Sequence, residues 1–111
     1  MTVFRGFLVV GWAVLAIYTL FVVVEHGLNL LPVFFGDMAR MGWPGQFNLD
    51  FLLMLCLSAL WVGWRHRFSG LGCLLAVIAL FGGAGFLYPY LLIEAGRAQG
   101  DMRQLLLGAN A

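Results

Sequence analysis

The chain has 111 residues, of which 63% are hydrophobic and 10% are charged, and its formal net charge is +1. A soluble domain keeps roughly a quarter of its residues charged, so this composition predicts an integral membrane protein rather than a water-soluble one. The length allows one domain, residues 1–111, without a separate catalytic module, and the small net charge argues against a nucleic-acid partner.

The first predicted element is a membrane-spanning helix over residues 7–24, close to the about 20 apolar residues that cross a bilayer. Arg5 precedes this apolar run, but the run is longer than that of a signal peptide, so we interpret it as an uncleaved anchor helix. Glu25 and His26 follow, and Gly27 is a typical residue just beyond a helix C-terminus.

The second predicted element is a short amphipathic helix at residues 29–41, which is too short and too polar to span a membrane. Apolar residues recur at helical spacing, with Asp37 and Arg40 on the other side, and Pro32 suits a first helical turn. This pattern favours a helix that lies in the membrane interface, and a re-entrant segment is the alternative.

The second spanning helix is predicted at residues 47–64, after a turn that contains Pro44. Asn48 or Asp50 would cap its start, where the helix dipole favours a negative charge. The short basic link that follows makes the second and third helices antiparallel neighbours.

The third spanning helix is predicted at residues 71–93, and a polar tail at residues 94–111. The glycine-rich run 82–85 favours close helix packing, although it could also loosen the helix or admit a ligand. Pro89 would kink the end of this helix, and the leucines at 105–107 could dock the tail.

The predicted fold class is therefore an all-α membrane protein with three transmembrane helices and a short interfacial helix between the first and the second. Alternating helices place three arginines on each side of the membrane: Arg5, Arg65 and Arg67 with the N-terminus, and Arg40, Arg97 and Arg103 with the C-terminus. The first set lacks compensating acids, so we expect a cytoplasmic N-terminus and a C-terminus outside.

Small residues follow one face of each of the last two predicted spans. Small faces let helix backbones approach closely in lipid, so we expect these two faces to meet. The residues are Cys56, Ala59 and Gly63 on the second span and Gly72, Ala76, Ala79 and Gly83 on the third.

Ionisable residues near membrane spans are candidates for function. If the helices alternate, Glu25, His26, Asp50, Tyr88 and Glu94 share one side of the membrane, and we select the first four as candidate ligand-binding residues. The alternative is that they are polar helix ends at the level of the lipid headgroups.

The sequence offers no pair of nucleophile and base and no set of three metal ligands, so we expect no enzyme activity, catalytic residue or metal site. Adjacent residues such as Glu25 and His26 point about 100° apart on a helix and chelate poorly. No cofactor is predicted, and a tetrapyrrole ligated by His26 is the alternative.

The order of short motifs resembles a family of small bacterial membrane proteins defined only as a domain of unknown function. The motifs lie within residues 25–93 and are His26-Gly27-Leu28, Phe47-Asn48-Leu49-Asp50-Phe51 and Leu87-Tyr88-Pro89-Tyr90-Leu91. The resemblance implies a multi-pass protein of the bacterial inner membrane and brings no activity with it.

Two functions remain open. The first is an accessory or structural subunit that packs by helix contacts, within membrane lipid, on other membrane proteins or on copies of itself. The alternative is a small oligomeric transporter, channel or lipid binder with a polar site near Glu25, His26 and Asp50. Only Thr19 and Ser58 are polar near the middle of a predicted span, which favours the first.

Overall fold

A computed structural model describes residues 2–111, and it is all-helical, as the sequence predicts, with no β-strand in that range. It contains six α-helices and a final 3-10 helix at Gly108–Asn110. The helices are α1 (Thr2–His26), α2 (Leu30–Ala39), α3 (Trp43–Arg65), α4 (Gly70–Gly82), α5 (Ala84–Ala98) and α6 (Met102–Leu107).

Two of these helices, α1 and α3, are long and apolar. They contain 25 and 23 residues, with mean hydropathies of 2.6 and 1.6 over their most apolar windows. Helix α1 ends before Gly27, whose φ of +76° suits glycine. Helix α3 begins at Trp43 with Pro44 in its first turn, earlier than expected. Asp50 is consequently inside the helix rather than at its start.

Helix α2 lies within the expected range 29–41 and packs against the start of α3. The Asn48 side chain on α3 donates a hydrogen bond to the Phe34 carbonyl on α2 at 3.1 Å. Gly45 permits the close approach, because a Cβ at that position would overlap the Asp37 carbonyl. The two helices therefore form a tight corner.

The predicted third span, residues 71–93, is not a single helix. It is divided into α4 and α5 at Gly83, whose φ of +55° lies in the left-handed region that favours glycine. A Cβ at Gly83 would meet the Phe51 ring at 3.0 Å and Leu55 at 3.4 Å. Three transmembrane helices are therefore not confirmed.

Helices α4 and α5 form a hairpin that enters and leaves at the same end of the molecule. Helix α4 runs antiparallel to α3, from Gly72, which lies against the Gly63 carbonyl, to Gly83 beside Phe51. Helix α5 then returns, so that Tyr90 and Glu94 contact Arg65 at the end of α3. With 13 residues, α4 is about 20 Å long.

Helix α1 runs antiparallel to α5 and is fastened to it at two places. Arg5 donates to the Ala95 carbonyl at 3.3 Å, and the Trp12 indole donates to the Gly85 carbonyl at 3.1 Å. The Gly85 carbonyl is available because Pro89, four residues later, has no N–H to donate to it.

The C-terminal tail folds back onto the end of the molecule where α1 begins and α3 ends. Leu105 on α6 is 1% exposed and packs with Ala95, Ala98 and Phe4. The tail is thus partly docked. The two ends of the chain lie together here rather than at opposite ends, because the hairpin reverses the direction expected for a third span.

Candidate functional site

The strongest polar cluster surrounds Arg65, the last residue of α3, which is only 2% exposed. Its Nε donates to the Leu105 carbonyl at 2.7 Å, and its Nη1 donates to the Tyr90 hydroxyl. The guanidinium also lies over the Trp61 and Tyr90 rings, 5.6 and 5.4 Å from their centroids. Hydrogen bonds and cation–π contacts together compensate the burial of this charge.

Tyr90 connects Arg65 to a histidine. Its hydroxyl oxygen lies 2.8 Å from His66 Nε2 while it accepts from Arg65. With the imidazole proton on Nδ1, Tyr90 donates to His66, and the three side chains form one continuous chain of hydrogen bonds.

Glu94 is shared by two arginines. Its carboxylate lies 3.5 Å from Arg65 Nη2 and 3.4 Å from Arg97 Nη1, and its side chain is 13% exposed against 73% for Arg97. Both distances exceed the 2.7–2.9 Å typical of charge-assisted hydrogen bonds. One carboxylate thus compensates two guanidinium groups incompletely.

A cavity of about 280 Å³ opens beside this cluster. Its polar lining consists of the side chains of Arg65, His66, Glu94, Arg97 and Gln104, and Gly108 closes it from the tail. Such a lining, with two guanidinium groups and one carboxylate, suits an anionic or hydrogen-bonding group of small size.

The C-terminal tail packs against the end of α3 and closes one side of the cavity. Trp61 Nε1 donates to the Leu106 carbonyl at 3.1 Å, and Asn110 Nδ2 donates to the Trp64 carbonyl at 2.7 Å. Gly108, with φ of +58°, lies so close that a Cβ would be 2.5 Å from the Arg65 carbonyl oxygen. The tail therefore supplies one side-chain donor, from Asn110, to a carbonyl group at this helix end.

The charges are divided unequally between the two ends of the molecule. The end that we call the arginine end carries Arg5, Arg65, Arg67, Arg97 and Arg103 against Glu94 and Asp101, a formal charge of +3. The opposite end carries Arg40 against Glu25, Asp37 and Asp50, a formal charge of −2. The two values sum to the net +1 of the chain.

The four residues selected as a ligand site do not come together in one cluster. Tyr88 packs on Phe7 of α1, while Glu25 is near the far end of that helix, roughly 27 Å further along it. Glu25, His26 and Asp50 are all exposed, and no hydrogen bond or ion pair joins them. Tyr88 is separated from them because the hairpin returns α5 towards the arginine end.

The small residues are distributed mainly along the contact between α3 and α4. Gly63 faces Gly72 and Ala76, while Ala59 and Ala79 belong to the core around Val62. Gly83 lies at the hairpin tip, and Cys56 is exposed. Cys56 and Cys73 are both free and exposed on the surface of the chain.

Within residues 2–111 no three histidine, cysteine or acidic side chains are grouped as metal ligands. His26, the alternative tetrapyrrole ligand, is exposed at the end of α1. A tetrapyrrole at this position stays the alternative to our prediction that no cofactor is bound.

Sequence reasoning missed the Arg65 cluster because it placed Glu94 on the opposite side of the membrane. One signal was available: the glycine-rich run 82–85, followed by Pro89, permits a chain reversal. A reversal at that point returns Tyr90 and Glu94 to Arg65. Comparison with known proteins adds nothing to this geometry, since no family model, curated protein or solved structure matches the chain.

Proposed function

We propose that this chain is an integral membrane protein in which α1 and α3 cross the bilayer and the α4–α5 hairpin is re-entrant. The length and hydropathy of α1 and α3 support two crossings. Only 6% and 17% of their apolar windows are buried, unlike the core helices of a soluble protein. Helix α4, at about 20 Å, is shorter than the about 30 Å hydrocarbon core, which supports a hairpin instead of a third crossing.

The orientation follows from the positive-inside rule, because five of the six arginines belong to the arginine end. We assign this end, with both chain termini, to the cytoplasmic side of a bacterial inner membrane. This keeps the expected cytoplasmic N-terminus and replaces the expected external C-terminus.

The proposed role is that of an accessory subunit that packs on a transmembrane helix of another membrane protein and catalyses no reaction. One observation carries it: an apolar groove of about 430 Å³ beyond the hairpin tip, between α1 and Gly85. The groove includes the small residues Ala16 and Thr19 beside Leu20 and Val23. Small residues at membrane depth allow a partner helix to approach closely.

The alternative, a small oligomeric transporter, channel or lipid binder that uses Glu25, His26 and Asp50, receives less support. These three residues are exposed and do not contact one another. No specific observation favours a transport route at that end.

The topology is testable by cysteine labelling. In a chain with Cys56 and Cys73 replaced by alanine, single cysteines at Thr2, Met41 and Ala111 are labelled in intact cells with a membrane-impermeant maleimide. We expect labelling of position 41 alone, with positions 2 and 111 labelled only after the cells are opened. Labelling of position 111 together with 41 would restore three crossings and overturn the re-entrant hairpin.

The accessory role is testable by affinity purification in mild detergent followed by mass spectrometry. We expect a stoichiometric membrane-protein partner that is lost in Ala16→Phe, which fills the groove. The matched control is Val14→Phe, at an exposed position outside the groove. Equal recovery of the partner with both variants, or no partner with the unaltered chain, would contradict the proposal.

A further inference from the structure

The cavity beside Arg65 has an excess of positive charge that its own residues do not compensate. Two guanidinium groups share the single Glu94 carboxylate at distances of 3.5 and 3.4 Å. Arg65 has five N–H donors, of which three go to Leu105, Tyr90 and Glu94. Among residues 2–111, Arg97 makes only the long contact with Glu94, so most of its donors have no acceptor in that part of the chain.

The wall of the same cavity also carries potential hydrogen-bond donors besides the two arginines. His66 and the Gln104 amide lie on its wall, and Gln104 makes one bond of 3.3 Å to the Gly108 carbonyl. Arg65 cannot turn away, since Trp61 and Tyr90 hold its guanidinium plane. The wall is therefore preorganised rather than a set of mobile surface arginines.

We propose that this cavity binds a single phosphate group. Guanidinium groups recognise phosphate oxygens by paired N–H donors, and a cavity of about 280 Å³ lies just below the range of sites for drug-sized ligands. The phosphate belongs either to an anionic lipid headgroup or to a small soluble phosphate compound. The inference goes beyond the accessory role, and the soluble source does not require the chain to lie in a membrane.

The test is isothermal titration calorimetry on the full-length chain in an uncharged maltoside detergent. The probes are inorganic phosphate, short-chain phosphatidylglycerol and, as a carboxylate control, acetate at matched ionic strength. We expect saturable binding of at least one phosphate probe and none of acetate. Binding of phosphatidylglycerol alone assigns a lipid headgroup, and binding of inorganic phosphate alone assigns a soluble phosphate compound. Competition between the two probes assigns one site that accepts either.

Two variants distinguish specific binding in the cavity from attraction of anions by the overall charge of the arginine end. Each variant removes one positive charge from that end. Arg97→Gln alters the cavity wall at a side chain that is 73% exposed, so the fold is retained. We expect it to raise the Kd by about tenfold, the effect of losing a hydrogen bond to a charged group. Arg103→Gln, outside the cavity, should change the Kd by less than about twofold, because salt screens exposed charges.

Three results would overturn the proposal. They are no saturable binding of either phosphate probe, acetate binding as tightly as phosphate, and equal effects of the two variants. The last would show that the arginine end attracts anions by its overall charge and contains no specific site.

Discussion

The two ends of the molecule carry similar kinds of polar residues, yet only one of them forms a network. At the arginine end, Arg65 is buried and joins Tyr90 and Glu94 on α5 and the Leu105 carbonyl on α6, two helices that follow α3 in the chain. At the opposite end, the ion pair between Asp37 and Arg40 is local: the two charged groups are 3.7 Å apart, and the residues are three positions apart in the chain.

The difference shows that converging segments form a site only where they also bury the polar helix ends. The opposite end contains the end of α1, helix α2 and the start of α3. Glu25, His26 and Asp50 are exposed there, and no hydrogen bond or ion pair joins these three residues to one another. The arginine end contains the start of α1, the end of α3, the end of α5 and the tail. Because the polar groups of its network are buried, an unpaired one would carry a large desolvation penalty. The loss of one partner therefore destabilises the rest of the network.

The largest expected effect comes from Arg65→Ala, compared with Arg40→Ala. The first variant removes the donor to the Tyr90 hydroxyl and the Leu105 carbonyl and one of the two guanidinium groups beside Glu94, and we expect a loss of about 3–5 kcal/mol in the free energy of unfolding. Arg40 is 82% exposed, and its loss should cost less than about 1 kcal/mol. Unfolding in mixed detergent micelles, followed by circular dichroism, measures both. Similar losses would remove the distinction between the two ends.

Gly108→Ala tests how closely the tail is docked. The new Cβ would lie 2.5 Å from the Arg65 carbonyl oxygen at a positive φ, so we expect a loss of about 1–3 kcal/mol. Gly36→Ala on α2 is the control at the opposite end, where a Cβ meets nothing within 4 Å. It should be neutral or stabilising, because alanine favours helix. The same unfolding assay applies, and an unaffected Gly108→Ala would mean that the tail is not held against α3.

Trp12→Phe tests the fastening of α1 to the hairpin. It removes the indole donor to the Gly85 carbonyl, which lacks its usual helical donor four residues later because that residue is Pro89, and we expect a loss of about 1–2 kcal/mol. Trp43→Phe is the matched control, since that indole is 73% exposed at the opposite end. If both variants melt alike in detergent, the indole contact does not stabilise the reversal.

The smallest expected effect belongs to Asp50→Asn. Asp50 is exposed inside α3, away from the helix start, and we expect a change below about 0.5 kcal/mol. The variant should also recover the same partner on affinity purification as the unaltered chain. A folded variant that loses the partner would place Asp50 in a functional site with Glu25 and His26 and reverse the comparison of the two ends.

Local chemistry in the sequence was sufficient to predict the all-helical class and some helix ends, but not the division of the third predicted span into α4 and α5 or the helix α6. Apolar runs gave the all-helical class, and Gly27 and Ser69 stand at helix boundaries because glycine tolerates positive φ and a serine side chain caps a free N–H, here that of Gly72. The start of α3 was predicted too late, because the polar Asn48 and Asp50 were interpreted as caps although Pro44 already begins the helix.

Only the tertiary structure decided where the chain reverses. The glycines at 82–85 permit either a continuous helix or a break, and we predicted a continuous helix because small residues favour close helix packing. The break at Gly83 is fixed by distant contacts: the Phe51 ring beside the tip, the Trp12 indole on the Gly85 carbonyl and Arg65 on Tyr90. Such contacts join residues far apart in the chain, so no local pattern encodes them. For this reason the polar cluster and its cavity follow from the fold and not from any motif.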